Sequence, residues 1–423
     1  MNGDHMIITQ INVTPVAFKD PPLLNAAGVH EPWALRTIVE VITDEGLTGL
    51  GETYGDLGHL TKVRECAEVL IGLDVHATNQ MYARIAATVG DAVSDLHGLT
   101  GAATKEKSVD RVFSPFEVAS LDIRGKAAGV PVVDLLGGRV RDAVPYSAYL
   151  FYKWAGHPGA EPDRFGAALD PEGVVEQASL FIKEYGFTSI KLKGGVFEPD
   201  QEIAATQALH EAFPGVPLRL DPNAVWSVDT SIRVGRELDG VLEYLEDPTP
   251  DIAGMAAVAA QVSMPLATNM CVVTPEHLPP AIAARAIGVL LLDHHYWGGL
   301  VRTAHVASLC ETFGLELSMH SNSHLGISLA AMTHLAAATP NLTSACDTHT
   351  PWQNGQDVVA PGALSFVDGA VPVPAGPGLG VELDRDALAV MHEQYLTCGV
   401  TARDDTTYLR RFEPAFTAER PRW

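Results

Sequence analysis

From residue 146 onward the chain repeats one pattern: a short apolar or β-branched run closed by a single polar residue, then a helical stretch. The closing residues are Lys193, Asp221, Glu246, Asn269, Asp293, His320 and Asp347, spaced 23 to 28 residues apart. That pitch is one strand, one helix and two short loops, and its repetition predicts an α/β fold built as a parallel barrel. Unbroken apolar runs such as Val289, Leu290, Leu291 and Leu292 suit strands buried on both faces. Between the strands, Ser227 is a good N-cap for a helix over 228–238 and Gly240 a good stop. Residues 300–313 and 324–338 carry the same helical pattern. Active sites of such barrels lie at the C-terminal ends of the strands, where these polar residues fall. A single strand-end Asp or Asn commonly does no more than cap the next helix. Seven in register mark a site.

The region before the barrel reads as α+β. Residues 37–41 and 47–51 alternate across Thr43-Asp44-Glu45-Gly46, a hairpin with glycine where a positive φ is useful. Helices are predicted over 59–73, 75–89 and 115–128, the last stopped by Gly129 and Pro131. Residues 94–108, rich in Gly, Ser and Thr, read as a loop.

With 28 Lys and Arg against 52 Asp and Glu, the net charge of −24 repels phosphate backbones and anionic lipid heads. Nucleic acid and membrane surfaces are therefore not expected partners. An acidic chain can bind an acidic small molecule only through a locally positive site, which narrows the search. The five cysteines, Cys66, Cys271, Cys310, Cys346 and Cys398, are odd in number and in no CxxC spacing, as in a reducing compartment. No signal pattern opens the chain, and no run reaches the ~18 apolar residues that span a bilayer. A cytoplasmic location is the expectation.

Asp221, Glu246 and Asn269 end three consecutive strands and offer hard oxygen ligands, which suits Mg²⁺ better than zinc. Asp247 and Asp251 crowd the same loop, so the second ligand stays open among Glu246, Asp247 and Asp251. Lys191 and Lys193 lie two apart on one strand and share a face. A neighbouring ammonium and a nearby metal are expected to push a lysine pKa down toward useful basicity. A carboxylate such as Asp293 fixes the tautomer of a histidine such as His320 and stabilises its imidazolium, as a general base or acid requires.

These residues resemble the glucarate dehydratase group of the enolase superfamily, within its mandelate racemase branch. The resemblance rests on Lys191-Leu192-Lys193-Gly194-Gly195-Val196, Asp221-Pro222-Asn223, Leu245-Glu246-Asp247-Pro248 and Ala267-Thr268-Asn269-Met270. It continues through Asp293 with Trp297, His320-Ser321-Asn322, Asp347-Thr348-His349 and Thr401-Ala402-Arg403-Asp404-Asp405. The amide third ligand and the late Ala-Arg-Asp-Asp are its specific parts. A Lys or His base working with Mg²⁺ is a known property of this superfamily.

The resemblance implies a modified (β/α)7β TIM-like barrel, with a cap formed by the N-terminal region and the C-terminal segment. The implied division is 1–140 for the α+β cap, 141–385 for the barrel and 386–423 for the segment completing the cap. It implies Mg²⁺ on Asp221, Glu246 and Asn269, with Lys193 as one base and His320, paired with Asp293, as the other base and the acid. Lys191 and Asn223 would face the developing enolate. Asn25, His30, Tyr149, Asn322, His349 and Arg403 match the family's contacts to the diacid. His30 lies in a loop over 23–32 that composition alone would leave in solvent.

The implied activity is a hydro-lyase reaction on an acid sugar. D-glucarate would give 5-dehydro-4-deoxy-D-glucarate, with L-idarate a further substrate, by a homo-oligomeric enzyme. A dehydratase or epimerase for a galactarate-like acid sugar is the alternative within the superfamily. A metal hydrolase would need a His-x-His at the first strand, which is absent. A non-catalytic sugar-acid binder would explain neither two bases nor a trio of metal ligands.

Overall fold

The computed structural model describes residues 5–93 and 101–423. Its N-terminal sheet has three antiparallel strands, Ile8–Lys19, Trp33–Thr43 and Thr48–Tyr54, with Trp33–Thr43 in the middle. The expected hairpin is present: Val41 faces Gly49, and the turn residue Gly46 has φ 77°. The strand Ile8–Lys19 is an addition to the sequence reading. Its register shifts between Ile8 and Gln10, and such a bulge breaks the period of two that alternation relies on.

The helices of this region correct their expected bounds. They run over Leu57–Leu70 and Thr78–Val89, and a third spans Lys105–Ala128, ten residues earlier than Pro115 suggests. Thr104 caps that third helix, its side chain accepting from the Lys107 N–H at 3.0 Å, so the expected loop does not extend to 108. The earlier part of that expected loop, residues 94–100, lies outside the described residues. Pro115 sits inside the helix, where the sheet presses close. A Cβ added to Gly51 would lie 2.0 Å from the Pro115 carbonyl oxygen, so only glycine allows this approach.

Seven parallel strands follow in spatial order, each hydrogen-bonded to the next: Ala148–Phe151, Ile190–Lys193, Leu218–Asp221, Tyr244–Glu246, Leu266–Thr268, Val289–Leu292 and Glu316–Met319. Residues 342–347 close the ring without forming a regular strand. The Cys346 N–H donates to Pro145 O, just ahead of the first barrel strand, and the Asp347 N–H to Met319 O on the last, both at 2.8 Å. Register aligns the strand tips: Phe151 faces Lys193, Lys193 faces Asp221, and Leu292 faces Met319. Polar residues at one level therefore converge.

The interstrand helices match expectation within a residue or two. They include Val228–Glu237, with Ser227 as cap and Gly240 in the turn beyond, Gly299–Thr312, and Gly326–Ala338. The helix Arg385–Thr397 lies along the first strand, where His392 Nδ1 meets Pro15 O at 2.7 Å. The segment after it returns to the small hairpin of Leu24–Asn25 and Gly28–Val29, where a Cβ on Gly28 would meet Asp405 O at 2.3 Å. Among the described residues no helix is long and apolar enough to cross a membrane.

Candidate active site

The strand ends meet in a cluster of opposed charges. Lys193 Nζ donates to Asp221 Oδ2 at 2.6 Å. Lys191 Nζ donates to Glu246 Oε1 and Asp347 Oδ2, both at 2.7 Å, and lies 4.7 Å from the centre of the Tyr149 ring. Asp221, Glu246, Asp247 and Asp347 are all buried beside these two lysines. Burial raises the Glu246 carboxyl well above the usual carboxylate range; Lys191 opposes the shift, while Asp221, Asp347 and Asp247 add to it. The Lys191 ammonium is set by the carboxylates around it. Burial works against its charge, but Asp347 and Glu246 outweigh it and hold the ammonium well above the ordinary lysine value.

Four acidic groups against two ammonium groups leave room for a dication. Asp347 Oδ1 and Asn223 Oδ1 accept no hydrogen bond from the described residues, while Glu246 Oε2 is ion-paired with Lys191 Nζ at 2.7 Å. Asp221, Glu246 and Asn269 stand at the ends of adjacent strands and would offer an all-oxygen donor set, the chemistry that suits Mg²⁺. The neighbouring acids have other duties. Asp247 accepts from Thr268 Oγ1 at 2.5 Å and from the Asn269 N–H at 2.9 Å, and burial pushes its pKa up to about 7. Asp251 is exposed and caps a helix by accepting from the Gly254 N–H at 2.7 Å. Glu246 is thus the one of the three that reaches Lys191.

Two local devices set this floor. Glu202 accepts from the N–H groups of Gly195, Val196 and Phe197 at 3.0, 2.8 and 3.1 Å, which ties down the loop after Lys193. Gly195, at φ 74°, packs against the next strand's loop, where a Cβ would be 2.3 Å from Pro222 O. In that loop Asn223 takes a φ of 55°, gives its N–H to Asp221 Oδ1 at 2.9 Å and points its amide nitrogen at Met270 Sδ, also 2.9 Å.

Beside the cluster opens a cavity lined by Asn25, His30, Tyr149, Phe151, Lys193, His320, Ser321, Asn322, His349 and Arg403. All six residues expected to touch substrate are in this lining, together with both expected bases. Phe151 and Ser321 are additions. His30, far from being solvated, is 3% exposed and pairs through Nδ1 with Asp20 Oδ2 at 2.9 Å. Arg403 forks onto Asp405 at 2.7 and 2.6 Å, and Asn25 Nδ2 donates to the same carboxylate at 2.7 Å. Burial pushes the His349 pKa well below the histidine range, so its ring is neutral.

His320 Nδ1 meets Asp293 Oδ2 at 3.0 Å. Burial lowers the His320 pKa although Asp293 opposes it. Burial works against the Asp293 charge, yet its histidine contacts, led by His295, hold the carboxyl well below its ordinary value. The sequence reading passed over His294 and His295, whose signal was their place directly after Asp293. Asp293, His294 and His295 could group their ligand atoms within 4.8 Å of one another. The Arg36 guanidinium lies 3.0 Å from His295 Nε2, so a metal ion there would face a fixed positive charge.

Residues 173–387 match the family model described as enolase C-terminal domain-like, and residues 8–137 that of the mandelate racemase / muconate lactonizing enzyme N-terminal domain. The chain therefore belongs to the mandelate racemase / muconate lactonizing enzyme family of the enolase superfamily. A probable glucarate dehydratase of Streptomyces coelicolor is 53% identical across 99% of both chains. An enolase from Thermobispora bispora, crystallised with magnesium and formate, is 75% identical with a TM-score of 0.98, over 99% of this chain and 100% of that one. An enolase from Pseudomonas fluorescens with bound magnesium, potassium and tartrate is 49% identical with a TM-score of 0.96, over 99% and 100% of the two chains.

Proposed function

We propose that this acid-sugar dehydratase acts on D-glucarate, with Mg²⁺ held by Asp221, Glu246 and Asn269. One observation carries the reading: a single cavity is lined by Lys193, His320, Arg403, His30 and His349, and no Asp or Glu is among its described lining residues. In a chain of net charge −24, that lining carries no carboxylate of its own to repel a diacid, and Lys193 and Arg403 are its cations.

The division of labour follows from the contacts. Asp293 accepts the Nδ1 proton of His320, which leaves Nε2 free to take the proton next to the substrate carboxylate. Mg²⁺, when bound, supplies positive charge that stabilises the charge developing on that carboxylate. The Lys191 ammonium, locked by Glu246 and Asp347, adds a fixed cation, and Asn223 adds an amide. His320 then returns its proton to the hydroxyl on the neighbouring carbon, which departs as water. The enol left behind becomes the keto acid 5-dehydro-4-deoxy-D-glucarate. Lys193, on a different strand, serves as the second base, so L-idarate is a second substrate by exchange at the same carbon. Arg403, His30, Asn25, Tyr149, Asn322 and His349 hold the rest of the diacid.

Keto-acid formation from a panel of acid sugars with Mg²⁺ tests this reading. D-glucarate should be turned over with the highest kcat/KM. Turnover of galactarate without D-glucarate would overturn the substrate assignment.

A further inference from the structure

A buried chain of polar groups runs from His320 through the barrel wall into the N-terminal sheet. Asp293 Oδ2 meets His320 Nδ1 at 3.0 Å, and Asp293 Oδ1 meets His295 Nδ1 at 2.8 Å. The far ring nitrogen of His295, Nε2, lies 3.0 Å from an Arg36 terminal nitrogen and 3.1 Å from Ser328 Oγ. Arg36 Nε donates to Glu52 Oε1 at 2.7 Å, and Glu52 accepts the N–H groups of Leu325 and Ser328 at 2.9 and 2.8 Å. Arg36 and Glu52 belong to the N-terminal hairpin; the other groups belong to the barrel. Arg36, Glu52, Asp293 and His295 are each no more than 3% exposed.

Donor and acceptor capacity settles where the protons sit. A guanidinium has donors only, so His295 Nε2 must accept, and the one proton of that neutral ring is on Nδ1, aimed at Asp293. Asp293 Oδ1 also accepts the His295 backbone N–H at 2.9 Å. A carboxylate held this way stays ionised and accepts from His320, so the His320 proton is on Nδ1 and Nε2 faces the cavity bare. Remove the cation at the far end and the His295 proton is free to move to Nε2. Asp293 would then lose a side-chain donor and its fixed orientation.

We propose that Arg36 and His295 are positioning residues for His320, by which a cation of the N-terminal hairpin fixes the tautomer of a base in the barrel. The proposal rests on the reading of His320 as the acid–base group. It gives the contact between sheet and barrel a chemical purpose beyond packing.

The test pairs kinetics with histidine NMR. His295→Phe should lower kcat about 10- to 100-fold, the loss typical when the partner orienting a functional histidine is removed, with KM within about threefold. His295→Asn, whose amide nitrogen takes the place of Nδ1 and still donates to Asp293, should recover most of that loss. In long-range ¹H–¹⁵N spectra of histidine-labelled protein, His320 and His295 should both be Nδ1–H tautomers. In Arg36→Met/Glu52→Gln, which removes both buried charges together, the His295 signals should move toward Nε2–H. A His295→Phe enzyme with wild-type kcat, or an Arg36→Met/Glu52→Gln protein with unchanged tautomers, would overturn the proposal. His320→Asn separates the two claims. If it is inactive while His295→Phe is normal, only this inference falls; if it is fully active, the assigned role of His320 falls first.

Discussion

Lys193 Nζ donates to Asp221 Oδ2 at 2.6 Å, so the residue assigned as a base and the residue assigned as a metal ligand share one carboxylate. The excess of buried acid around this pair predicts a strict need for a cation. Activity should vanish on chelation and return with Mg²⁺, while zinc should not replace it. Asp221→Ala and Asn269→Ala should fold and be inactive. Mg²⁺ should also raise the unfolding midpoint, since a ligand at a hundred times its Kd stabilises the folded state by about 2.7 kcal/mol. Full activity in chelated protein would sink the metal assignment.

Arg403 has two roles that substitution can separate. Its guanidinium neutralises the buried Asp405, and it also lines the cavity. Arg403→Met leaves a carboxylate unpaired and should destabilise the protein by about 3 kcal/mol, the lower end for a broken buried pair. Arg403→Met/Asp405→Asn should regain most of that stability yet keep a KM for D-glucarate raised at least about tenfold, an ion-pair contact to substrate being worth ~1.5–3 kcal/mol. Denaturant melts and steady-state kinetics on both variants decide it. A wild-type KM in the double variant would show that Arg403 serves Asp405 alone.

The strand-end series was legible because a barrel puts one polar residue per βα unit at the same level, so spacing alone marks the site. The same regularity pointed to Asp347 as the last position, which the structure builds as an irregular closing segment. The partners of those residues were not legible. Lys191 meets Glu246 and Asp347 across separations of 55 and 156 residues, and these carboxylates hold its pKa well above the ordinary lysine value. His30 read as solvent-exposed because residues that share its cavity, Tyr149, His349 and Arg403 among them, follow more than 110 residues later in the chain and reach it only through the fold. The Thr104 cap was hidden in a tract of small residues that read as loop throughout, and the bulge after Ile8 concealed the first strand.

A buried histidine away from the site predicts the acid side of the stability curve. His334 accepts the Val133 N–H at Nδ1, 3.3 Å, and donates from Nε2 to Leu379 O, 3.1 Å, so it must be neutral in the folded state. Burial pushes its pKa down to about 4. The unfolded chain takes up this proton near the ordinary value of about 6.5, so stability is complete above that pH and is lost as pH falls toward 4. The loss from this group is about 3 kcal/mol at most, at ~1.4 kcal/mol per unit. His334→Gln should be less stable than wild type at neutral pH, with the gap narrowing toward pH 4. Melting curves at several pH values would show a constant gap if the ring did not titrate as described.

In the proposed function, two bases on separate strands serve one carbon of an acid sugar. Proton NMR of substrate and product in D₂O tests it most directly, with His320→Asn and Lys193→Ala compared against wild type. His320→Asn should lose dehydration of D-glucarate by several powers of ten, since base and leaving-group assistance fall together, each typically worth ~10² to 10⁴-fold. It should still exchange the α-proton of L-idarate with solvent through Lys193. Lys193→Ala should lose that exchange. Dehydration at the wild-type rate by His320→Asn would contradict the account.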